Sequence, residues 1–141
     1  MKKLILFISF VFAFAIQGNS QALSYVNMLS PHGNASDTTV NTSTDSLKIV
    51  LTQSYSNITI QPKVTKISGT MNSNSTPTLY GSLDGKNYYA IPGDTLHITN
   101  TSSPIVDDWV LTSQAYRVYK IVWTGTGTMS AKLEAKIMLI K

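Results

Sequence analysis

The stretch Met129-Ser130-Ala131-Lys132-Leu133-Glu134-Ala135-Lys136-Ile137-Met138-Leu139-Ile140 decides the fold. Met129, Ala131, Leu133, Ala135, Ile137 and Leu139 take every second position, with Ser130, Lys132, Glu134 and Lys136 between them. A strand points successive side chains to opposite faces, so this pattern predicts a half-buried β-strand. The Ala, Lys, Leu and Glu content also suits a helix, which would gather Leu133, Ile137 and Ile140 on one face. The sustained period of two sets the expectation of a strand.

Upstream, Tyr116, Val118, Lys120 and Val122 alternate with Arg117, Tyr119, Ile121 and Trp123 over residues 115–123. Both faces carry apolar area, as an inner strand requires. Leu47, Ile49 and Leu51 alternate with Lys48, Val50 and Thr52. Residues 58–60, 64–70, 78–83, 95–99 and 106–112 form further short runs rich in Thr, Val, Ile and Tyr, bounded by Asn, Ser and Pro clusters. Pro62 and Pro77 are expected at strand starts or edges, because proline has no N–H to give to a ladder. In Tyr80-Gly81-Ser82-Leu83-Asp84-Gly85-Lys86-Asn87-Tyr88-Tyr89-Ala90-Ile91, Asp84-Gly85 separates two alternating arms. That is a β-hairpin: Gly85 adopts the positive φ of the turn and Asp84 bonds its own backbone. Ile91-Pro92-Gly93-Asp94 is expected to make a second turn. About seven to nine strands at this spacing imply an all-β, antiparallel β-sandwich of jelly-roll or Ig-like type over residues 47–141.

Two segments precede that domain. Lys2 and Lys3 lead into an unbroken apolar run over residues 4–16, and Ser20-Gln21-Ala22 offers the small residues read by a signal peptidase. Residues 1–22 are therefore read as a signal peptide, or as an apolar membrane anchor if retained. The run is shorter than the roughly 20 residues a membrane span takes. Residues 23–46 are mostly Ser, Thr, Asn, Gly and Asp from Asn27 onward, and are expected to form a flexible or loosely ordered polar arm, which either orders against a neighbouring subunit or is a plain linker.

All four Phe residues lie in the leader, so the domain draws its rings from seven Tyr and two Trp. Without Lys2 and Lys3, nine basic side chains face seven acidic ones, which excludes a basic nucleic-acid surface. There is no cysteine, so the core must stabilise the fold without disulfides.

Catalytic constellations are nearly lacking. His32 lies in the arm and His97 within Thr-Leu-His-Ile-Thr, where it reads as an exposed strand residue. Asp107 and Asp108, being adjacent, should point to opposite faces and share no substrate bond. Gly125 and Gly127 lie between strands, with no helix N-terminus to cradle a phosphate. A non-enzymatic protein without cofactors follows, and Asp84 is the one candidate for a calcium contact. Tyr80, Tyr88, Tyr89, Trp109, Tyr119 and Trp123 are the candidate ligand or interface aromatics, with packing inside the sandwich as the alternative.

Two resemblances rest on these residues. The segment 78–141, with Gly81-Ser82-Leu83-Asp84-Gly85, Trp109, Tyr116-Arg117-Val118-Tyr119 and Thr124-Gly125-Thr126-Gly127-Thr128, resembles small β-sandwich structural proteins of tailed bacteriophages. The hairpin Ser82-Leu83-Asp84-Gly85-Lys86-Asn87-Tyr88 is similar to one in discoidin-like, factor 5/8 C-terminal type modules that bind sugars and lipids, with Tyr88 where those carry Trp. The first implies a virion or surface-assembly protein acting through contacts with itself or a protein partner. The second implies a secreted carbohydrate-binding module. Either way, the leader implies export to the periplasm, the cell surface or the medium, unless the chain stays in a virion. Asp37-Thr38-Thr39, Asp45-Ser46-Leu47 and Asp94-Thr95-Leu96 resemble a short bacterial O-glycosylation sequon, which makes Thr38 and Ser46 in the arm candidate modification sites.

Overall fold

The alternating C-terminal stretch is a strand, and among the described residues, 23–112 and 116–140 of a computed structural model, no helix forms. Ten strands follow in order: β1 (Leu23–Asn27), β2 (Ser36–Val40), β3 (Thr44–Val50), β4 (Asn57–Ser68), β5 (Thr78–Ser82), β6 (Tyr89–Thr95), β7 (Ile105–Val106), β8 (Trp109–Thr112), β9 (Val118–Thr124) and β10 (Ser130–Ile140). The expected leader, residues 1–22, lies outside the described residues.

All strand pairs are antiparallel, and they make two sheets. In the first, β10 and β4 pair along their whole lengths at the centre. The outer edge of β10 is shared by β1 on residues 136–140 and β2 on residues 130–134. The outer edge of β4 is shared by β8 on residues 57–60 and β7 on residues 63–64. The second sheet runs β3-β9-β5-β6. The core lies between them: Ala131, Leu133, Ala135, Ile137 and Leu139 of β10 and Ile58, Ile60 and Val64 of β4 face Leu47, Leu79, Tyr119, Ile121 and Trp123, all buried. Lys132 and Lys63 point outward, where both ion-pair with Glu134 at 3.2 and 3.4 Å.

Three expectations are corrected. The polar arm is not flexible in this structure: residues 23–46 supply β1, β2 and the start of β3, and buried Met28 joins the core. Leu29 and Lys48 exchange backbone hydrogen bonds of 2.9 and 2.7 Å, carrying the chain across to the second sheet. A polar segment orders here because a ready-made strand edge takes up its backbone groups, a gain that apolar periodicity does not register. Second, Pro62 sits inside a single 12-residue strand that joins the two runs read separately at 58–60 and 64–70. Its carbonyl accepts from Asp107 N–H at 3.4 Å, so its missing N–H falls on the side where β8 has ended and β7 begins, and no ladder bond is lost. Third, three strand bounds differ: Ile91-Pro92-Gly93-Asp94, expected as a turn, lie inside β6, whose pairing with β5 shifts register there; the run at 106–112 is divided between β7 and β8; and β6 stops at Thr95, so that Leu96 and Ile98 are buried and His97 exposed but residues 96–99 run outside any strand. Pro77, by contrast, directly precedes β5 as expected.

Candidate functional site

The antiparallel register brings three connections to one end of the sandwich: residues 51–56 between β3 and β4, residues 83–88 between β5 and β6, and Tyr116 with Arg117 ahead of β9. The turn at 83–88 is built as its sequence suggests. Gly85 has φ +73°. Asp84 Oδ1 accepts from Ser82 Oγ at 3.0 Å and from the backbone N–H groups of Lys86 and Asn87 at 2.8 Å each. Asp84 Oδ2 accepts from Asn87 Nδ2 at 2.7 Å, and buried Ser82 Oγ in turn accepts from Gly85 N–H at 2.9 Å. These donors, the Asn87 and Lys86 backbones first, hold the Asp84 carboxyl far below the ordinary carboxylate range. Asp84 thus acts in the turn, and no group of three or more His, Asp or Glu forms among the described residues.

A row of tyrosines sits beside this turn. Tyr89, Gly81 and Tyr119 are in register across β6, β5 and β9 and share one face. Gly81 leaves a gap in that row, and the ring of Tyr116 lies in it, so close that a Cβ at position 81 would overlap the ring. An aromatic lying over a strand glycine replaces the packing that the glycine lacks. Tyr116 meets Tyr119 edge-on, with centroids 6.1 Å apart and planes at 88°. Burial raises the Tyr119 phenol above its ordinary value, against an opposing hydrogen bond with the Tyr116 backbone. Leu83, Asp84, Asn87, Tyr89 and Tyr116 enclose an open cleft of about 510 Å³. Tyr89 is 65% exposed there. A second cleft of about 440 Å³ shares Tyr116 and is lined also by residues 51–56 and Arg117.

Of the aromatics picked from sequence, only Tyr89 lines a cleft. Trp109, Tyr119 and Trp123 are core residues and offer no ring to a ligand. Trp123 Nε1 donates to Ser75 Oγ at 2.7 Å and to Ser75 O at 3.2 Å. Tyr80 is half-buried on the outer face of the second sheet, and half-buried Tyr88 lies under the Lys120 ammonium at 5.3 Å. Tyr116 and Tyr55 were missed as site residues, since no local pattern reveals that their separate segments meet.

The remaining candidates lie elsewhere. Thr38 is exposed in β2 and Ser46 half-buried in β3, so both stand in paired strands, not in the free arm that favoured their modification. His32 and His97 are exposed. Asp107 accepts from Asp108 N–H at 2.8 Å, and Asp108 from Gln61 Nε2 at 2.9 Å, both at an exposed edge. Partial burial, and secondarily the Asp107 charge, raises the Asp94 carboxyl.

No family model matches the sequence, and no curated protein matches it. Among solved structures, the enzymatically active domain of tailspike protein 4 of bacteriophage CBA120 superposes with a TM-score of 0.50 at 10% identity over 87% of this chain, which spans 20% of that chain's length. A family 16 carbohydrate-binding module gives a TM-score of 0.46 at 10% identity, covering 87% of this chain and 86% of its own. A carbohydrate-binding module specific for non-crystalline cellulose gives 0.49 at 10% identity, covering 85% and 80%. At such identities the likeness is one of fold: the chain is a β-sandwich, with no assignment to phage structural proteins or to discoidin-like modules.

Proposed function

We propose that this protein is an exported, non-catalytic glycan-binding module whose ligand rests on Tyr116 and Tyr89 at the loop end of the sandwich. The observation that carries the reading is the placement of the Tyr116 ring, fixed over Gly81 and against Tyr119 yet facing the cleft that exposed Tyr89 completes. A sugar ring has apolar C–H faces and a polar rim, so it suits a flat aromatic with hydrogen-bonding groups beside it. Asp84 Oδ2 has Asn87 Nδ2 as its donor and keeps capacity to accept a hydroxyl proton. The cleft is open and shallow, and ordering a flexible ligand costs free energy, so dissociation constants on the order of 0.1–1 mM are expected.

A glycan array followed by titration calorimetry on the purified protein tests this. Tyr116→Ala and Tyr89→Ala should each weaken binding about tenfold or more while leaving the fold intact, whereas Tyr80→Ala on the outer face should change nothing. An array without a single hit, with and without calcium, overturns the reading.

Assembly through sheet contacts is the second reading. On the outer face of the first sheet, Tyr25, Met138, Thr59 and Val110 stand in register across four strands, with Tyr25 66% and Val110 61% exposed. Such a row suits a partner or a second copy. Sedimentation that finds a monomer at high concentration, for the wild type and for Tyr25→Ser alike, removes self-association.

A further inference from the structure

The second cleft bears on which glycan is bound, an inference that rests on the glycan-binding reading. Its floor is apolar, made of Leu51, Ile58 and Leu111, and its wall is the ring of Tyr116. Its rim is polar: Gln53 Nε2 donates to the Tyr55 hydroxyl at 3.0 Å, which orients both groups at the opening. Among the described residues, Arg117 is the charged residue lining it, and no Asp or Glu lines it. The ion pairs among the described residues join Lys63 and Lys132 to Glu134, so none engages the Arg117 guanidinium. The backbone of Arg117 is held independently, its carbonyl accepting from Leu51 N–H at 2.8 Å.

We propose that this cleft takes a carboxylate-bearing sugar unit, with its carboxylate on Arg117, while the neighbouring unit rests on Tyr116 and Tyr89. A guanidinium is planar and presents paired N–H donors that match a carboxylate. Because Tyr116 borders both clefts, one ligand chain of two or more units reaches from one to the other across its ring. Asp84, the carboxylate lining the first cleft among the described residues, is held in its ionised form by four donors within its own turn, so a ligand carboxylate is repelled from the first cleft and favoured on Arg117 in the second.

The test measures binding of short uronate and sialylated oligosaccharides, their methyl esters, a sulfated galactan oligosaccharide and neutral oligosaccharides. The wild-type protein, Arg117→Gln, Arg117→Lys and Tyr116→Ala are compared, with far-UV circular dichroism confirming each fold. The expected result is an acid bound about tenfold more tightly than its ester, with the preference shrinking as salt rises. Arg117→Gln should erase it, and Arg117→Lys should retain only part of it. Equal binding of acid and ester, both lost in Tyr116→Ala, overturns the acidic preference and leaves the glycan-binding reading intact. A preference that persists in Arg117→Gln overturns the role of Arg117, and tighter binding of the sulfated ligand overturns the choice of carboxylate. No binding of any ligand overturns both readings.

Discussion

Replacing Gly81 by alanine should leave the sandwich folded and disable the Tyr116 platform. Gly81 has no left-handed φ, so alanine meets no conformational penalty there and gains about 0.5–1 kcal/mol from the entropy glycine loses in a strand. The new methyl group, however, occupies space held by the Tyr116 ring, and that ring must swing away. Leaving the edge-to-face contact with Tyr119 costs about 0.5–1.5 kcal/mol. A side chain forced off its rotamer costs a similar amount, about 0.5–1.5 kcal/mol. The gain offsets part of the cost, so urea denaturation should show a net loss between about zero and about 2.5 kcal/mol. Glycan affinity should nonetheless fall about tenfold or more, since the flat ring no longer faces the cleft. Nuclear Overhauser contacts between the Tyr116 ring and the residue 81 Hα report the displacement directly. If the variant keeps those contacts and wild-type affinity, the account of Tyr116 as a platform seated on a glycine is wrong.

Trp123→Phe should cost about 2–3 kcal/mol in denaturation, because it opens a void in the core and leaves buried Ser75 short of a donor. Removing residues 1–41 should abolish monomeric folding, seen as aggregation by light scattering, since it strips the β1 and β2 partners from β10. The Asp84 carboxyl, followed by ¹³C NMR, should stay ionised well below the pH at which unfolded aspartates protonate. Its pKa is depressed by folding, so its contribution to stability is present above the unfolded value and is lost only as pH falls through the lower folded one. Asp94 behaves in the opposite sense: raised by burial and then by Asp107, it erodes stability as pH rises from the unfolded to the folded value, and Asp107→Asn should bring its titration down part of the way.

The sequence displayed the strands that bury one face completely. The alternation along β10 and the two-sided apolar pattern of β9 are visible because burial selects residue type at each step. The Asp84-Gly85 turn is equally local, since its donors and acceptors all lie within six residues. By contrast, β2 was hidden: it buries little beyond Thr39 and is held by ladder bonds to β10, which any residue except proline can make. Leu96 and Ile98 gave a false strand because alternate burial needs only an extended chain, not a partner. The site was partly hidden for a related reason. Tyr89 was legible beside the hairpin, whereas Tyr55, Tyr116 and Arg117 become neighbours of one opening only through the pairing of distant strands.

Leu23 and Ile140 stand opposite each other at the rim of the first sheet, the rim from which residues 51–56 also depart. The two extremities of the described fold therefore leave side by side, roughly 5 Å apart across an antiparallel pair. A few residues of glycine and serine would splice them into a ring, and new extremities could be cut at residues 101–104 on the far pole. Immobilisation through either end of the described fold would press the clefts against the support. A biosensor made from this protein should be anchored at the far pole instead, so that its working end points into the solution.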